Sequence, residues 1–345
     1  MMENKMSSKR TKPLIITVVI VAAIVAFLLF QNKKSAPSAV QNSDEKPVVV
    51  AYQTGVDPSK VAQANGDYEK DSQRNIQWKK FDTGPDVVNA LASGDVVIGN
   101  LGSSPLAAAA SRNLPIEVFL ITSKLGASEA LVVSNKSGIK TPQDLIGKTI
   151  AVPFVSTTHY SLLSALKHWG IAEDKVKIIN LRPPEIIAAW QRGDIDAAYV
   201  WEPALSKAKA TGTTLTDSKQ VAEWGAPTYD LWVVRKDFAE KNPDFVKSFV
   251  QTTLHQLEQY NQDPKAYLAN GDNVQKIAQL TGSDAKDIAL LLGGNTYLNA
   301  AQQKQTLGGE FAKNISDTAT FLKSQGKVDA VKADYNENVS TAYLP

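Results

Sequence analysis

The chain reads as an α/β protein, two α/β lobes around a hinged cleft. Short β-branched runs alternate with helical patterns from Pro47 onward, and the alternation restarts at Ala130. One motif occurs twice, as ALASGDVVIG at Ala90–Gly99 and AWQRGDIDAA at Ala189–Ala198. Each copy is a helix end, a glycine suited to a left-handed cap, an aspartate and a short strand. Alternating strands and helices predict a parallel sheet covered on both faces. A repeated unit predicts two such lobes, and two lobes joined by crossing strands open and close as a hinge.

Taken in order, the first half predicts strands at Val48–Tyr52, Ile76–Phe81, Val96–Gly99 and Ile116–Thr122. Between them, proline-led patterns predict helices at Pro58–Asp71, Pro85–Ala92 and Pro105–Ser111. The second half predicts strands at Ala130–Ser134, Thr149–Val152, Val176–Leu181 and Ala197–Trp201. Its helices fall at Pro142–Leu145, Thr158–Trp169 and Pro184–Arg192. A further strand is expected at Leu231–Val234, and after Asp237 the pattern is almost wholly helical. The crossings are placed near Leu125–Leu131 and Asp230–Lys236. Lobe 1 is then 47–127 with 236–345 and lobe 2 is 128–235, the C-terminal helices returning to lobe 1.

A chain of 345 residues suits two lobes of ordinary size. With no cysteine there is no disulfide framework, no thiol nucleophile and no lipid-modified cysteine. The three histidines have no metal-ligand spacing, and no cofactor is expected. Residues 1–40 hold six basic residues and one acid, a surplus of five against a whole-chain charge of +2, so the remainder stands at −3. A mildly acidic folded part argues against nucleic acid as a partner.

Leu14–Phe30 is an uncharged apolar run behind Lys9, Arg10 and Lys12, the arrangement that sends a chain across the inner membrane. At roughly 25 Å it is long for a signal core and short for a full span. Residues 1–30 are therefore a cleaved signal peptide or a retained anchor. Either places the folded part outside the cytoplasm, in the periplasm, free or tethered by residues 14–30. The small polar residues 31–46 read as a linker.

Two strand-to-helix turns carry the chemistry. Gly102 lets backbone come close to a ligand, Ser103 or Ser104 is suited to cap the next helix, and Pro105 suits its first position. In the second lobe Ser156, Thr157, Thr158 and His159 stand at a helix start. Free N–H groups at a helix start form a ready anion site. Each segment alone is as well explained as a plain cap. Their pairing at the carboxyl ends of strands in duplicated lobes favours a ligand. Gln53, Trp201 and Glu202 also follow strands, and Asp230 opens an otherwise apolar strand. Such a carboxylate needs a cation, from a ligand ammonium or from a lysine or arginine of the protein. Trp201 stacks on a ligand or packs in the core.

The segments Val50–Gly55 (VAYQTG), Ile98–Leu106 (IGNLGSSPL), Pro115–Phe119 (PIEVF), Ala151–Leu163 (AVPFVSTTHYSLL), Ala188–Asp196 (AAWQRGDID), Trp224–Pro227 (WGAP) and Val233–Phe238 (VVRKDF) are long and distinctive. From about Val48 to the C-terminus the chain resembles the solute-binding proteins of ABC importers for taurine, aliphatic sulfonates and nitrate. The resemblance implies a type II periplasmic-binding fold, and a monomeric receptor, not an enzyme. It would deliver taurine or a related small sulfonate to a membrane permease driven by an ATPase subunit. It also implies that Ser103, Ser104, Thr157, Thr158 and His159 hold the sulfonate and Asp230 the ammonium. Glu202 departs from the family pattern of a smaller, uncharged residue, and either tightens amine recognition or faces solvent.

Overall fold

The computed structural model describes residues 46–345, so the apolar run Leu14–Phe30 and all but the last residue of the linker lie outside the described part. Ten strands are present among the described residues: β1 Val48–Tyr52, β2 Ile76–Lys80, β3 Ile98–Gly102, β4 Ile116–Lys124, β5 Ala130–Ser134, β6 Thr149–Val152, β7 Lys177–Asn180, β8 Ala197–Val200, β9 Gly212–Asp217 and β10 Tyr229–Arg235. They form two five-stranded sheets, ordered β2-β1-β3-β10-β4 and β7-β6-β8-β5-β9. The orders are equivalent position for position, as the duplicated motif predicts. Its two glycines, Gly94 and Gly193, both end helices at positive φ, 81° and 78°.

The sheets are mixed, not parallel as expected. The trios β2-β1-β3 and β7-β6-β8 are parallel. The fourth strand of each sheet, β10 or β5, runs antiparallel to both neighbours. Each of these strands arrives from the other lobe, so it enters from the opposite end. Tyr229–Arg235 pairs in the first sheet although it falls within the expected 128–235, and the second crossing, expected over Asp230–Lys236, precedes that strand. The two crossings are tied together where Leu125 N–H donates to the carbonyl of Thr228 at 2.9 Å.

Local chemistry explains the other differences. The helix expected over Pro58–Asp71 is two, α1 Lys60–Asn65 and α2 Asp67–Ser72, because Gly66 takes a left-handed φ of 69° between them. Between β2 and β3 lies α3 Gly84–Ser93, capped by the Thr83 side chain. The next helix, α4 Ser103–Ser111, starts two residues before Pro105. Strand β9 was not expected; its Thr-rich sequence alternates but lacks an apolar run. In the second lobe follow α5 Thr157–His168, α6 Pro183–Arg192 and α7 Ala204–Lys209.

The C-terminal helices do not return to the first lobe alone. Phe245, Phe249 and Leu254 pack with Val50, Phe119 and Trp232 of the first sheet. Leu257, Tyr260, Ile277 and Leu292 share a cluster with Ala130, Val132 and Ala198 of the second. No helix among the described residues is long and apolar enough to cross a membrane.

Candidate functional site

A cavity opens between the two sheets, at the carboxyl ends of β1, β3 and β8. It is lined by Gln53, Gly102, Thr157, Trp201, Glu202 and Asp230, together with residues of the first crossing and Asn295. About 50 Å³ is open to the centre of a water-sized sphere. Since roughly 10–15 Å³ of this measure holds one water, the cavity suits a molecule of a few heavy atoms.

The first helix N-terminus is built differently from the expected cap. The cap residue of α4 is Gly102, in extended conformation, with no side-chain bond, and Ser103 and Ser104 occupy the first two helical positions. Neither serine is spent on capping. Ser103 Oγ accepts from Tyr229 N–H at 3.3 Å. Ser104 Oγ is fully buried and has no partner. Gly102 is required by close approach: a Cβ there would stand 2.5 Å from Thr157 Cγ2 of the other lobe.

The second N-terminus has a conventional cap. Ser156 Oγ accepts from His159 N–H at 3.1 Å and lies 2.8 Å from Thr158 Oγ1. Thr157 lines the cavity and donates its hydroxyl to Glu129 at 2.5 Å. His159 is 2% exposed and stacks on Phe154, with ring centroids 4.6 Å apart. Burial pushes its pKa down to about 4, so the ring is neutral. Its Nδ1 accepts from Val155 N–H at 3.3 Å, which puts the proton on Nε2. Ser103, Ser104, Thr158 and His159 are thus buried behind the cavity wall, while Thr157 forms part of it.

Asp230 is positioned by strand register, paired with Gly102 on one side and Ser123 on the other, both on the cavity wall. Loss of water raises its pKa to about 6, with Asp57 pushing it further up and Lys60 drawing it down. Lys60 is itself buried and paired with Asp57 at 3.7 Å. Among the described residues no cation forms an ion pair with Asp230.

Glu129 is the residue that sequence reasoning missed. It sits on the first crossing and lines the cavity. Its other oxygen accepts from Ser218 Oγ at 3.1 Å. Burial raises its pKa to about 7, and Asp230 adds to the shift. Charge inside an expected crossing was the available signal. Asn295 was also missed; it accepts from Gly126 N–H and Ser128 Oγ at 3.0 and 2.6 Å, and nothing in its local sequence marks it. Gln53 donates to the carbonyl of Asn100 at 3.1 Å. Trp201 both lines the cavity and joins the second core cluster. Glu202 does not face solvent; it is 2% exposed.

The lobes touch around this cavity. Thr54 Oγ1 donates to the carbonyl of Glu202 at 2.8 Å. At the rim Arg182 pairs with Asp86 and stands 3.9 Å from Asp82. A site of this kind offers N–H donors at two helix starts and the Thr157 hydroxyl beside carboxylates that no ion pair among the described residues engages, which is a match for a small zwitterion. Among the described residues no group of His, Asp or Glu is arranged to hold a metal.

Comparison with known proteins agrees. The family described as the substrate binding domain of ABC-type glycine betaine transport systems matches residues 46–278. The taurine-binding periplasmic protein of Escherichia coli K12 is 57% identical over 93% of this chain and 97% of that one. The crystal structure of the periplasmic aliphatic sulphonate binding protein of Escherichia coli superposes with a TM-score of 0.66 at 23% identity, over 83% of this chain and 95% of that one. The alkanesulfonate-binding protein of Xanthomonas axonopodis pv. citri, bound to MOPS, does so with a TM-score of 0.67 at 20% identity, over 82% and 95%. At these identities the structural likeness is one of fold. From its matched domain and its close relative, the chain belongs to the substrate-binding-domain family of ABC-type transport systems.

Proposed function

We propose that the protein is the periplasmic receptor of an ABC importer and that its ligand is taurine. The observation that carries this reading is the meeting, in one small cavity, of two helix starts from opposite lobes with Asp230, a carboxylate that no ion pair among the described residues engages. The close relative's name supports the same ligand.

In this reading the sulfonate lies between the first turns of α4 and α5. It accepts from their free N–H groups and from Thr157 once that hydroxyl turns from Glu129; the unused hydroxyl of Ser104 lies behind them. Ser103, Thr158 and the Nε2 proton of His159 support it from behind. Charge-assisted bonds of this kind contribute roughly 1.5–3 kcal/mol each. The ammonium sits against Asp230 and Glu129. Each lobe supplies part of the contact set, so ligand binding shifts the population toward the closed form. The closed form is what the permease and its ATPase subunit recognise. The protein acts as a monomer and without catalysis, and residues 1–30 carry it across the inner membrane.

An amine-free sulfonate is the competing ligand, and the unpaired carboxylates count against it. Calorimetry with taurine, ethanesulfonate, sulfate and nitrate tests the reading. Taurine is expected to bind tightest, and no turnover of taurine is expected on prolonged incubation. Ethanesulfonate binding as tightly as taurine overturns the ligand assignment.

A further inference from the structure

Glu202 presents a feature that the taurine reading leaves unused. It follows β8 and lines the cavity, yet only 2% of its surface is exposed. One carboxylate oxygen accepts from Ser206 Oγ at 2.8 Å. The other, Oε2, is buried with no partner. Among the described residues no ion pair reaches it, and burial raises its pKa. A buried carboxylate oxygen without a donor is costly, so a donor is expected from the cavity.

The placement of Glu202 is fixed from the other lobe. Its carbonyl accepts from Thr54, in the loop that follows β1. The neighbours Gln53 and Gly55 line the same cavity, and a Cβ on Gly55 would stand 3.2 Å from Asp230 Oδ2. Glu202 and Asp230 therefore flank one short loop, and both residues line the cavity, as does Glu129. A primary ammonium carries three N–H donors, and the cavity is lined by three carboxylates that no ion pair among the described residues engages.

We propose that Glu202 is a specificity determinant that accepts one N–H from the ligand's cationic end, so that the site selects primary amines over N-alkylated ones. This rests on the taurine reading and deepens it. The alternative use of the same corner is the Trp201 face, which would favour a methylated cation.

The test is calorimetry on the intact receptor and its Glu202→Gln variant with taurine, N-methyltaurine and ethanesulfonate. The wild type is expected to bind taurine roughly tenfold or more tighter than N-methyltaurine, the loss of one charge-assisted bond. In Glu202→Gln, taurine weakens by a similar factor and the gap to N-methyltaurine falls to about twofold, while ethanesulfonate shifts by less than about twofold. Retained ethanesulfonate binding shows that the variant is folded. Equal loss of taurine and ethanesulfonate makes the residue structural and overturns the proposal. An unchanged gap, or wild-type preference for N-methyltaurine, overturns it as well. Failure of the wild type to bind taurine at all overturns the underlying reading first.

Discussion

Replacing Asp230 with alanine separates recognition of the amine from recognition of the anion. Asp230 lines the cavity, carries a pKa raised to about 6 by loss of water, and has no cation bound to it among the described residues. In the taurine complex it becomes one half of a charge pair. Removing one partner of a buried pair costs about 3–5 kcal/mol. Glu129 lines the same cavity and in the proposed complex also faces the ammonium, so the cost falls at or below the bottom of that range, and about 2–3 kcal/mol corresponds to a roughly 30- to 150-fold weaker dissociation constant for taurine. Ethanesulfonate has no ammonium, and its anion gains from the loss of a nearby negative charge. Its affinity stays level or rises. Isothermal titration calorimetry of both ligands on both proteins reads the difference directly. Equal losses for the two ligands, or a taurine loss under about fivefold, would refute the charge-pair reasoning.

Acidification tests the same pair by another route. Taurine needs the ionised carboxylates, so protons compete with it. With Asp230 titrating at about 6, binding should weaken roughly tenfold between pH 7 and pH 5, and more if Glu129 at about 7 adds a second proton. The ligand-free fold should respond in the opposite sense. Both folded-state pKa values lie above the ordinary carboxylate range, so the folded state binds protons that the unfolded chain does not. These two groups therefore add stability as pH falls from about 7 toward 4, and thermal melts with and without taurine check the crossing trends. Gly102→Ala places a Cβ against Thr157 Cγ2 across the cleft. It should weaken taurine at least tenfold by hindering closure, with little change in the melting temperature of the free protein and with a larger radius of gyration by X-ray scattering in saturating ligand. Arg182→Ala removes the ion pairs to Asp82 and Asp86 at the rim. Exposed pairs contribute about 0.2–1 kcal/mol, so stopped-flow release of taurine should quicken by about 1.5- to fivefold at low salt and match the wild type at high salt.

Much of this architecture is legible in residue order. The duplicated ALASGD and AWQRGD segments give equivalent sheets because each encodes a left-handed glycine cap and the strand after it. The antiparallel β5 and β10 were not legible, since strand direction depends on which lobe a strand comes from, and no local pattern records that. The split of the first helix at Gly66 was legible in principle, because Gly66-Asp67 is a stop followed by a new acidic first turn. Ser103 and Ser104 show a limit of a different kind. Ser-Ser-Pro looks like a cap with its proline at the first helical position, yet Gly102 takes the cap, and the hydroxyl of Ser104 is left buried without a partner. Glu129 and Asn295 escaped because each reaches the cavity through tertiary packing from a segment without a motif. Asp230, which lines the cavity, was conspicuous in the sequence as a carboxylate opening an apolar strand. That no ion pair among the described residues engages it could be read only from the structure, where Lys60 pairs with Asp57.

The crystal structure of the taurine complex tests the central claim most directly. The account predicts sulfonate oxygens within hydrogen-bonding distance of the first-turn N–H groups of α4 and α5, and the ammonium against Asp230, with the lobes in contact through Thr54 and Glu202. A sulfonate bound away from both helix starts, or an ammonium pointing away from Asp230, would contradict it.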